Sequence, residues 1–362
     1  MHEINAAVMR EPEQLSYETV QLEEPKATEV LVDVRATGVC HTDYHAYTNP
    51  DTGRPIVLGH EGAGIVEAVG EEVTAVEPGD HVVLWVLPSC GQCEHCSAGE
   101  PYFCPTHAET RGSMPDGTKR LYDDDGSIDH FFSQSSFASK TVVPERSAIP
   151  IPADVPFEIA ALLGCGVPTG IGAVLNTAGV RPGDDVAIFG CGGVGASAIL
   201  GADLVGARRI IAVDIEERKL NEMSELGATH TINSSTTDPV DEIQELTGGV
   251  DYSFECIGRP ETLEQAFESL GRGGIAVATT TKDTGTFEID GGAFPRGVGI
   301  IGNMVGSIRP HEDIPKLADL YLDGRLDLDA LLTDSYSLSE LGDAFDALRD
   351  GEVIRSVVRP DE

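Results

Sequence analysis

The stretch Asp185-Val-Ala-Ile-Phe-Gly190-Cys-Gly192-Gly-Val-Gly195 decides the fold. The apolar run ending at Phe189 predicts a buried strand, and the small residues of Gly193–Val205 predict a helix. Between them stand three glycines spaced GxGxxG. That spacing alone also fits a turn that merely packs tightly. Its position between a strand and a helix points instead to a dinucleotide site. Gly190 permits the tight turn, Gly192 lets the backbone approach a pyrophosphate at the helix N-terminus, and Gly195 lets helix and strand pack closely.

Outward from this turn the pattern repeats. Arg209–Val213, Thr229–Ile232, Val250–Phe254 and Gly274–Ala278 read as strands. Helical patterns lie at Glu216–Leu226, near Val240–Glu245 and at Glu261–Leu270. Strands and helices alternating at this length predict an α/β domain with a doubly wound parallel (Rossmann) sheet, over residues 167–305. Asp214 ends the second strand, 24 residues after Gly190. A carboxylate there accepts hydrogen bonds from ribose hydroxyls and repels an extra phosphate, which favours NAD over NADP. Arg218 and Lys219 follow closely enough to keep NADP as the alternative.

The remainder, 1–166 and 306–362, reads as a second, irregular β-rich domain. Its candidate strands are Ile4–Met9, Val30–Ala36, Gly64–Val69 and His81–Val86, the last entered through the turn Pro78-Gly79-Asp80. Helices near Glu312–Leu322 and Leu338–Leu348 and a strand at Ile354–Val358 return the chain to it.

Among 362 residues, 61 acidic side chains face 24 basic ones, a formal net charge of −37. Such a surface repels nucleic acid and anionic membranes. No segment approaches the ~20 apolar residues of a membrane helix, and the N-terminus lacks the basic and apolar blocks of a signal peptide, so a cytoplasmic protein is expected. Disorder is the competing reading of so many acids, but 41% hydrophobic residues and turn-spaced glycines argue for folded domains. We read the charge as adaptation to concentrated salt, which screens self-repulsion.

The chain has eight cysteines, and in a cytosolic protein clustered cysteines suggest metal before disulfides. Cys90, Cys93, Cys96 and Cys104 form C-x2-C-x2-C-x7-C, in a lobe of about residues 88–106. Four thiolates this close can close a tetrahedral zinc shell with no position for substrate, so the role is structural. Three further clusters lie apart: Cys40-His-Thr-Asp-Tyr-His45, Gly59-His60-Glu61-Gly-Ala-Gly64 and Gly164-Cys165-Gly-Val-Pro-Thr-Gly170. Together they supply two thiolates, an imidazole and a carboxylate. Two Cys and one His with a free fourth position is the catalytic zinc arrangement of an alcohol dehydrogenase.

In this order GVCHTD, GHEGAG, the four-cysteine loop, GCGVPTG, GCGGVG, SFECIG (Ser253–Gly258) and IRSVV (Ile354–Val358) resemble the zinc-containing medium-chain alcohol dehydrogenases over nearly the whole chain. The similarity is greatest to the branch with the glutathione-dependent formaldehyde dehydrogenases and to related bacterial enzymes that hold their nicotinamide tightly. The resemblance implies a GroES-like catalytic domain beside the Rossmann domain, two zinc ions per chain, and a homodimer or homotetramer with Ile300–Met304 at the contact. It implies that Cys40, His60 and Cys165 hold the catalytic zinc, with Glu61 behind it. Thr42 would take the alcohol proton and His45 would pass it to solvent. His41 and Arg355 would lie near the pyrophosphate, and Thr169 and Val194 near the nicotinamide. Gly190, Gly192, Gly193, Gly195, Asp214 and Lys219 would complete the cofactor site. The expected reaction is reversible hydride transfer between a small alcohol and nicotinamide.

The chain departs from the glutathione-linked members in two places. Between His45 and His60 the loop is short, and Asp51 is its only acid. The cation that those members carry soon after the last lobe cysteine is represented here only by Arg111. A thiol adduct of formaldehyde is therefore the second candidate substrate, behind ordinary alcohols. Apolar Trp85, Val86 and Val305 are candidate pocket walls. A non-enzymatic zinc-stabilised dinucleotide-binding protein is the third reading, and it would not need Cys40, His60 and Cys165 together.

Overall fold

The computed structural model describes residues 1–110, 112–279 and 285–360, so Arg111 lies outside the described residues. Residues 1–165, 309–324 and 332–362 pack as one unit, and 166–308 with 325–331 as another.

The second unit carries a six-stranded parallel sheet. Its spatial order is His230–Asn233, Arg209–Asp214, Asp185–Phe189, Val250–Glu255, Leu270–Ala278 and Gly299–Gly302. Phe189 thus sits between Val213 and Glu255. The strand order reverses at this point, where open α/β sheets bind ligands beyond the strand ends. The apolar character of these strands is explained by burial on both faces: Ala187, Phe189, Ile211 and Val213 meet Ile243, Val250, Ala266 and Phe267 in one cluster, and the alternate residues Val186, Ile188, Ile210 and Ala212 are buried as well. The flanking helices announce themselves locally. Asp238 caps Pro239–Thr247 by accepting the Val240 and Asp241 amides at 2.8 and 3.3 Å, with Pro239 at its first position.

The first unit contains a closed five-stranded barrel and a seven-stranded sheet. Strand Glu29–Val39 is central to the sheet. It pairs antiparallel with Gly62–Val69, Lys140–Pro144 and Arg355–Arg359, tying the two ends of the chain together. The barrel begins with the hairpin His2–Glu11 and Gln14–Leu22. Its second strand escapes the sequence reading because only Val20 and Leu22 are buried, so the alternation is short. The segment read as strand Gly274–Ala278 begins earlier, at Leu270. Leu338–Leu348, read as one helix, is a short turn Leu338–Glu340 capped by Ser337 and a helix Leu341–Arg349. Among the described residues no helix is long and apolar enough to cross a membrane.

Candidate active site

Three chain segments meet within the first unit. Cys40 is the N-cap of helix His41–Thr48, so its sulfur stands at the helix end that favours negative charge. His60 and Glu61 precede strand Gly62–Val69, and Cys165 ends the first of the three segments of that unit, after helix Phe157–Leu162. The ligand atoms of Cys40, His60, Glu61 and Cys165 all lie within 4.8 Å of one another.

The surroundings fix one ligand orientation. His60 is fully buried, and its Nδ1 lies 2.9 Å from Asp43 Oδ1. Its Nε2 is buried and has no hydrogen-bond partner. A carboxylate on one ring nitrogen leaves the other as a metal donor, and this arrangement recurs at zinc sites. Asp43 is itself buried and also accepts the Gly59 amide at 3.0 Å and the Cys40 amide at 3.3 Å. Asp43 was not anticipated as a site residue. Its signal was its place in the first turn after Cys40, but one more acid in so acidic a chain does not stand out.

The donors set one another's proton affinities. The hydrogen bond with Cys165, aided by His60, holds the Cys40 thiol well below its ordinary pKa. The same pairing, with burial, drives Cys165 well above its own. Burial pushes His60 down, but Asp43 and Cys40 outweigh it and keep the imidazole protonated above its usual range. Cys40 is thus the anionic donor, while Cys165 and His60 hold protons that metal binding would release. Nitrogen and sulfur donors suit zinc.

Glu61 is fully buried, and burial raises its pKa to about 7 against the opposing charge of Arg355. Its Oε2 accepts a hydrogen bond from Arg355 Nη2. A Cβ on Gly38 would come within 2.0 Å of that oxygen, so only glycine leaves room for the carboxylate. Arg355 is committed to Glu61 by one nitrogen, while its buried Nε has no partner. Thr42 and His45 lie three residues apart on helix His41–Thr48 and so share one face. The His41 and His45 rings are 5.9 Å apart.

Around His60 runs a strained loop. Phe132, Ser133 and Ser135 adopt φ of 53, 52 and 58°, rare for residues with a side chain. The rings of Phe131 and Phe132 lie 5.7 and 5.4 Å from the His60 ring. Trp85 and Val86 are buried, and Val86 donates to the Gly164 carbonyl at 3.2 Å, next to Cys165.

The four-cysteine lobe converges equally well. Its sulfurs lie within 4.8 Å of one another. Amides of Cys90, Cys93 and Cys96 donate to Cys104, Cys90 and Cys93 sulfurs at 3.2, 3.3 and 3.5 Å. An amide hydrogen bond from Gln92 lowers Cys90 to about 6, whereas burial raises Cys96 to about 12.

The second unit presents the glycine turn at its sheet's reversal point. Gly190 has φ of 93°, and a Cβ at Gly195 would meet the Gly190 carbonyl oxygen at 1.8 Å. A Cβ at Gly192, the N-cap of helix Gly193–Val205, would meet nothing. The open space there fits a pyrophosphate. Asp214 accepts the Cys191 amide at 2.8 Å and the Ile215 and Glu216 amides at 2.7 and 3.1 Å. Lys219 is bonded to Glu216 at 3.0 Å and Arg218 to Glu222 at 2.6 Å. Thr169 is buried, and its carbonyl accepts from Asn303 at 3.3 Å. Gly170 lets its helix approach the Val194 carbonyl, 2.2 Å from where a Cβ would stand. Ile215 and Ile257, after the second and fourth strands in sequence, are 63% and 44% exposed. Two exposed apolar side chains beside a nucleotide turn suit a planar base. Sequence reading passed over both.

Residues 26–153 match the family model described as alcohol dehydrogenase GroES-like domain, and residues 193–323 that of zinc-binding dehydrogenase. Over 359 residues the chain is 40% identical to an S-(hydroxymethyl)glutathione dehydrogenase of Paracoccus denitrificans, with 94% of each chain covered. Over 364 residues it is 39% identical to an alcohol dehydrogenase class-3 of Cereibacter sphaeroides, again with 94% of each covered. Among solved structures it superposes on an alcohol dehydrogenase zinc-binding domain protein from Burkholderia ambifaria with a TM-score of 0.95, at 40% identity and 99% coverage of both chains. A benzyl alcohol dehydrogenase from Acinetobacter calcoaceticus gives a TM-score of 0.92 at 36% identity and the same coverage.

Proposed function

The chain belongs to the zinc-containing medium-chain alcohol dehydrogenases, enzymes that interconvert alcohols and aldehydes or ketones, and from that premise we propose that it oxidises ordinary small alcohols with NAD at Cys40, His60 and Cys165. The observation that carries the reading is the convergence of those three donors, with His60 Nε2 buried and unpartnered. A zinc ion held by these three donors would supply a Lewis acid that lowers the pKa of an alcohol.

The chain's own residues do the rest. Asp43 holds His60 in one tautomer through Nδ1. Arg355 balances the Glu61 carboxylate behind the donors. Thr42 Oγ1 accepts the substrate's hydroxyl proton as its own hydroxyl proton moves on, and His45, one turn on, takes up that proton and passes it to water. His41 and Arg355 contribute positive charge for the pyrophosphate. Gly190, Gly192, Gly193 and Gly195 cradle it, Asp214 and Lys219 hold the adenosine side, and Thr169 and Val194 flank the nicotinamide. Cys90, Cys93, Cys96 and Cys104 hold the second, structural zinc. Turnover of an alcohol panel, followed by nicotinamide reduction, tests the reading; no turnover by the zinc-loaded protein would refute it.

Pairing of Arg218 and Lys219 with glutamates supports NAD, since neither cation is free to welcome a second phosphate. Asp214→Ser should lower kcat/KM for NAD about tenfold, the equivalent of one charge-assisted hydrogen bond, and narrow the gap to NADP. A wild-type preference for NADP would contradict the assignment.

The net charge of −37 supports a salt-adapted protein. Gly299–Gly302 is an edge strand, and its Ile300 and Ile301 support pairing with a second copy near Ile300–Met304. Both ideas are read by one titration, from about 0.1 M salt, where screening reaches ~10 Å, to about 1 M, where it reaches ~3 Å. Melting temperature and solution mass should both rise; a constant melting temperature or a monomer throughout would contradict them.

A second reading, oxidation of a thiol adduct of formaldehyde, is favoured by Arg54. It lies in the loop between His45 and His60, its Nη1 is buried without a partner, and a substrate carboxylate would satisfy it. Turnover of S-hydroxymethylglutathione above that of simple alcohols would establish this alternative.

A further inference from the structure

We propose that Arg146 is the counter-charge of the four-cysteine lobe, a positioning residue that keeps the lobe's zinc bound. The inference rests on the structural-zinc part of the reading above and concerns a residue outside the lobe's own segment. Four thiolates around one zinc ion leave a net negative charge, and loading exchanges thiol protons for one divalent ion. The segment 88–106 supplies little to balance that charge. It contains no Lys or Arg, and it adds Glu94 and Glu100. Its imidazole, His95, faces Glu100 at 3.4 Å. Backbone amides meet part of the need, since each sulfur accepts one: Cys104 from Cys90, Cys90 from Cys93, Cys93 from Cys96, and Cys96 from Gly91. Amides bring dipoles but no net charge.

Arg146 reaches the lobe from elsewhere in the same unit. It stands in the turn Glu145–Ser147, after strand Lys140–Pro144. Its guanidinium lies against the bare Cα of Gly91, where a Cβ would come within 2.2 Å of Cζ and 2.3 Å of Nη2. Gly91, with φ of 74°, thus leaves the space that the guanidinium fills. It follows Cys90 directly, and its amide is the one given to Cys96. The cation therefore lies over the residue that joins two of the four ligands. The turn that presents it is fixed on both sides. Glu145 accepts the Ala75 amide at 2.7 Å, so the acid next to Arg146 is committed elsewhere. The Ser147 carbonyl accepts the Trp85 amide at 2.7 Å. His311, on helix Pro310–Leu322, hydrogen-bonds to the Arg146 backbone. In a chain with a net charge of −37, a cation held at the thiolate cluster opposes a field that the acidic surface strengthens.

The test follows zinc release from the zinc-loaded full chain to a coloured chelator in about 0.1 M salt, where screening reaches ~10 Å. Cys40→Ser, which keeps only the lobe's metal, identifies the lobe's phase. Arg146→Gln should release lobe zinc about 3- to 10-fold faster, between the effect of an exposed ion pair and that of a buried outer-shell contact. Arg146→Glu should be faster still. Arg146→Lys should stay within about twofold of the wild type, because it keeps the charge. Arg272→Gln, the same charge change at an exposed arginine of the other unit, should leave the phase unchanged. In about 1 M salt, where screening reaches ~3 Å, the gap between Arg146→Gln and the wild type should shrink. Release by Arg146→Gln at the wild-type rate would overturn the proposal. Equal acceleration in Arg146→Lys and Arg146→Gln would also overturn it, since packing rather than charge would then hold the metal. Equal acceleration in Arg272→Gln would do the same, by making the effect one of total charge. In each of these outcomes lobe zinc is present, and the reading of Cys90, Cys93, Cys96 and Cys104 stands. A Cys40→Ser protein that carries no zinc would remove both.

Discussion

Cys40→Ser is expected to lower kcat/KM by about a thousandfold or more, equivalent to ~4 kcal/mol of barrier, while leaving the fold intact. The reasoning starts from the position of the sulfur. Cys40 is the N-cap of helix His41–Thr48, and its thiol is held well below its ordinary pKa by the hydrogen bond with Cys165. It is thus the donor most ready to bind as an anion. Serine keeps the N-cap function, so the helix should persist. Its hydroxyl is a poor zinc ligand, because it stays protonated near neutral pH and its oxygen is harder than sulfur. The lobe of Cys90, Cys93, Cys96 and Cys104 is untouched, so zinc per chain should fall from two to one. Circular dichroism and zinc analysis would check the fold and the count. Wild-type turnover by this variant would contradict the assignment.

Asp43→Ala should weaken zinc binding at the same centre by about 10- to 100-fold and destabilise the metal-free protein by about 3 kcal/mol. The carboxylate is fully buried and serves three donors at once, His60 Nδ1, the Gly59 amide and the Cys40 amide. Alanine leaves all three buried without an acceptor, and the imidazole loses the contact that fixes its tautomer. Asp43→Asn retains one acceptor oxygen and should fall between. Competition with a coloured chelator measures the affinity, and denaturant unfolding of the stripped protein measures the stability. Wild-type affinity in Asp43→Ala would show that His60 needs no support.

These residues also show where the sequence was legible. The turn at Gly190–Gly195 announces itself because each glycine answers a local need: a positive φ at Gly190, open space at Gly192, and a close approach at Gly195. The four-cysteine lobe is equally readable, since its ligands lie within one short segment. The metal centre is different. Cys40, His60 and Cys165 are far apart in sequence, and family resemblance rather than spacing joined them. Asp43 was missed because its role is created by packing. Asp43 matters through a contact with His60, which neighbours in sequence do not reveal. The exposed Ile215 and Ile257 were missed for a related reason, because sequence alone does not reveal which apolar residues remain at the surface.

The central claim is that a metal with an open position is held by Cys40, His60 and Cys165. Anomalous diffraction at the zinc edge from crystals of the purified protein tests it most directly. Two peaks per chain are predicted, one enclosed by the four lobe sulfurs and one bonded by the Cys40 and Cys165 sulfurs and His60 Nε2. A single peak in the lobe, with no metal bonded to His60, would contradict the account.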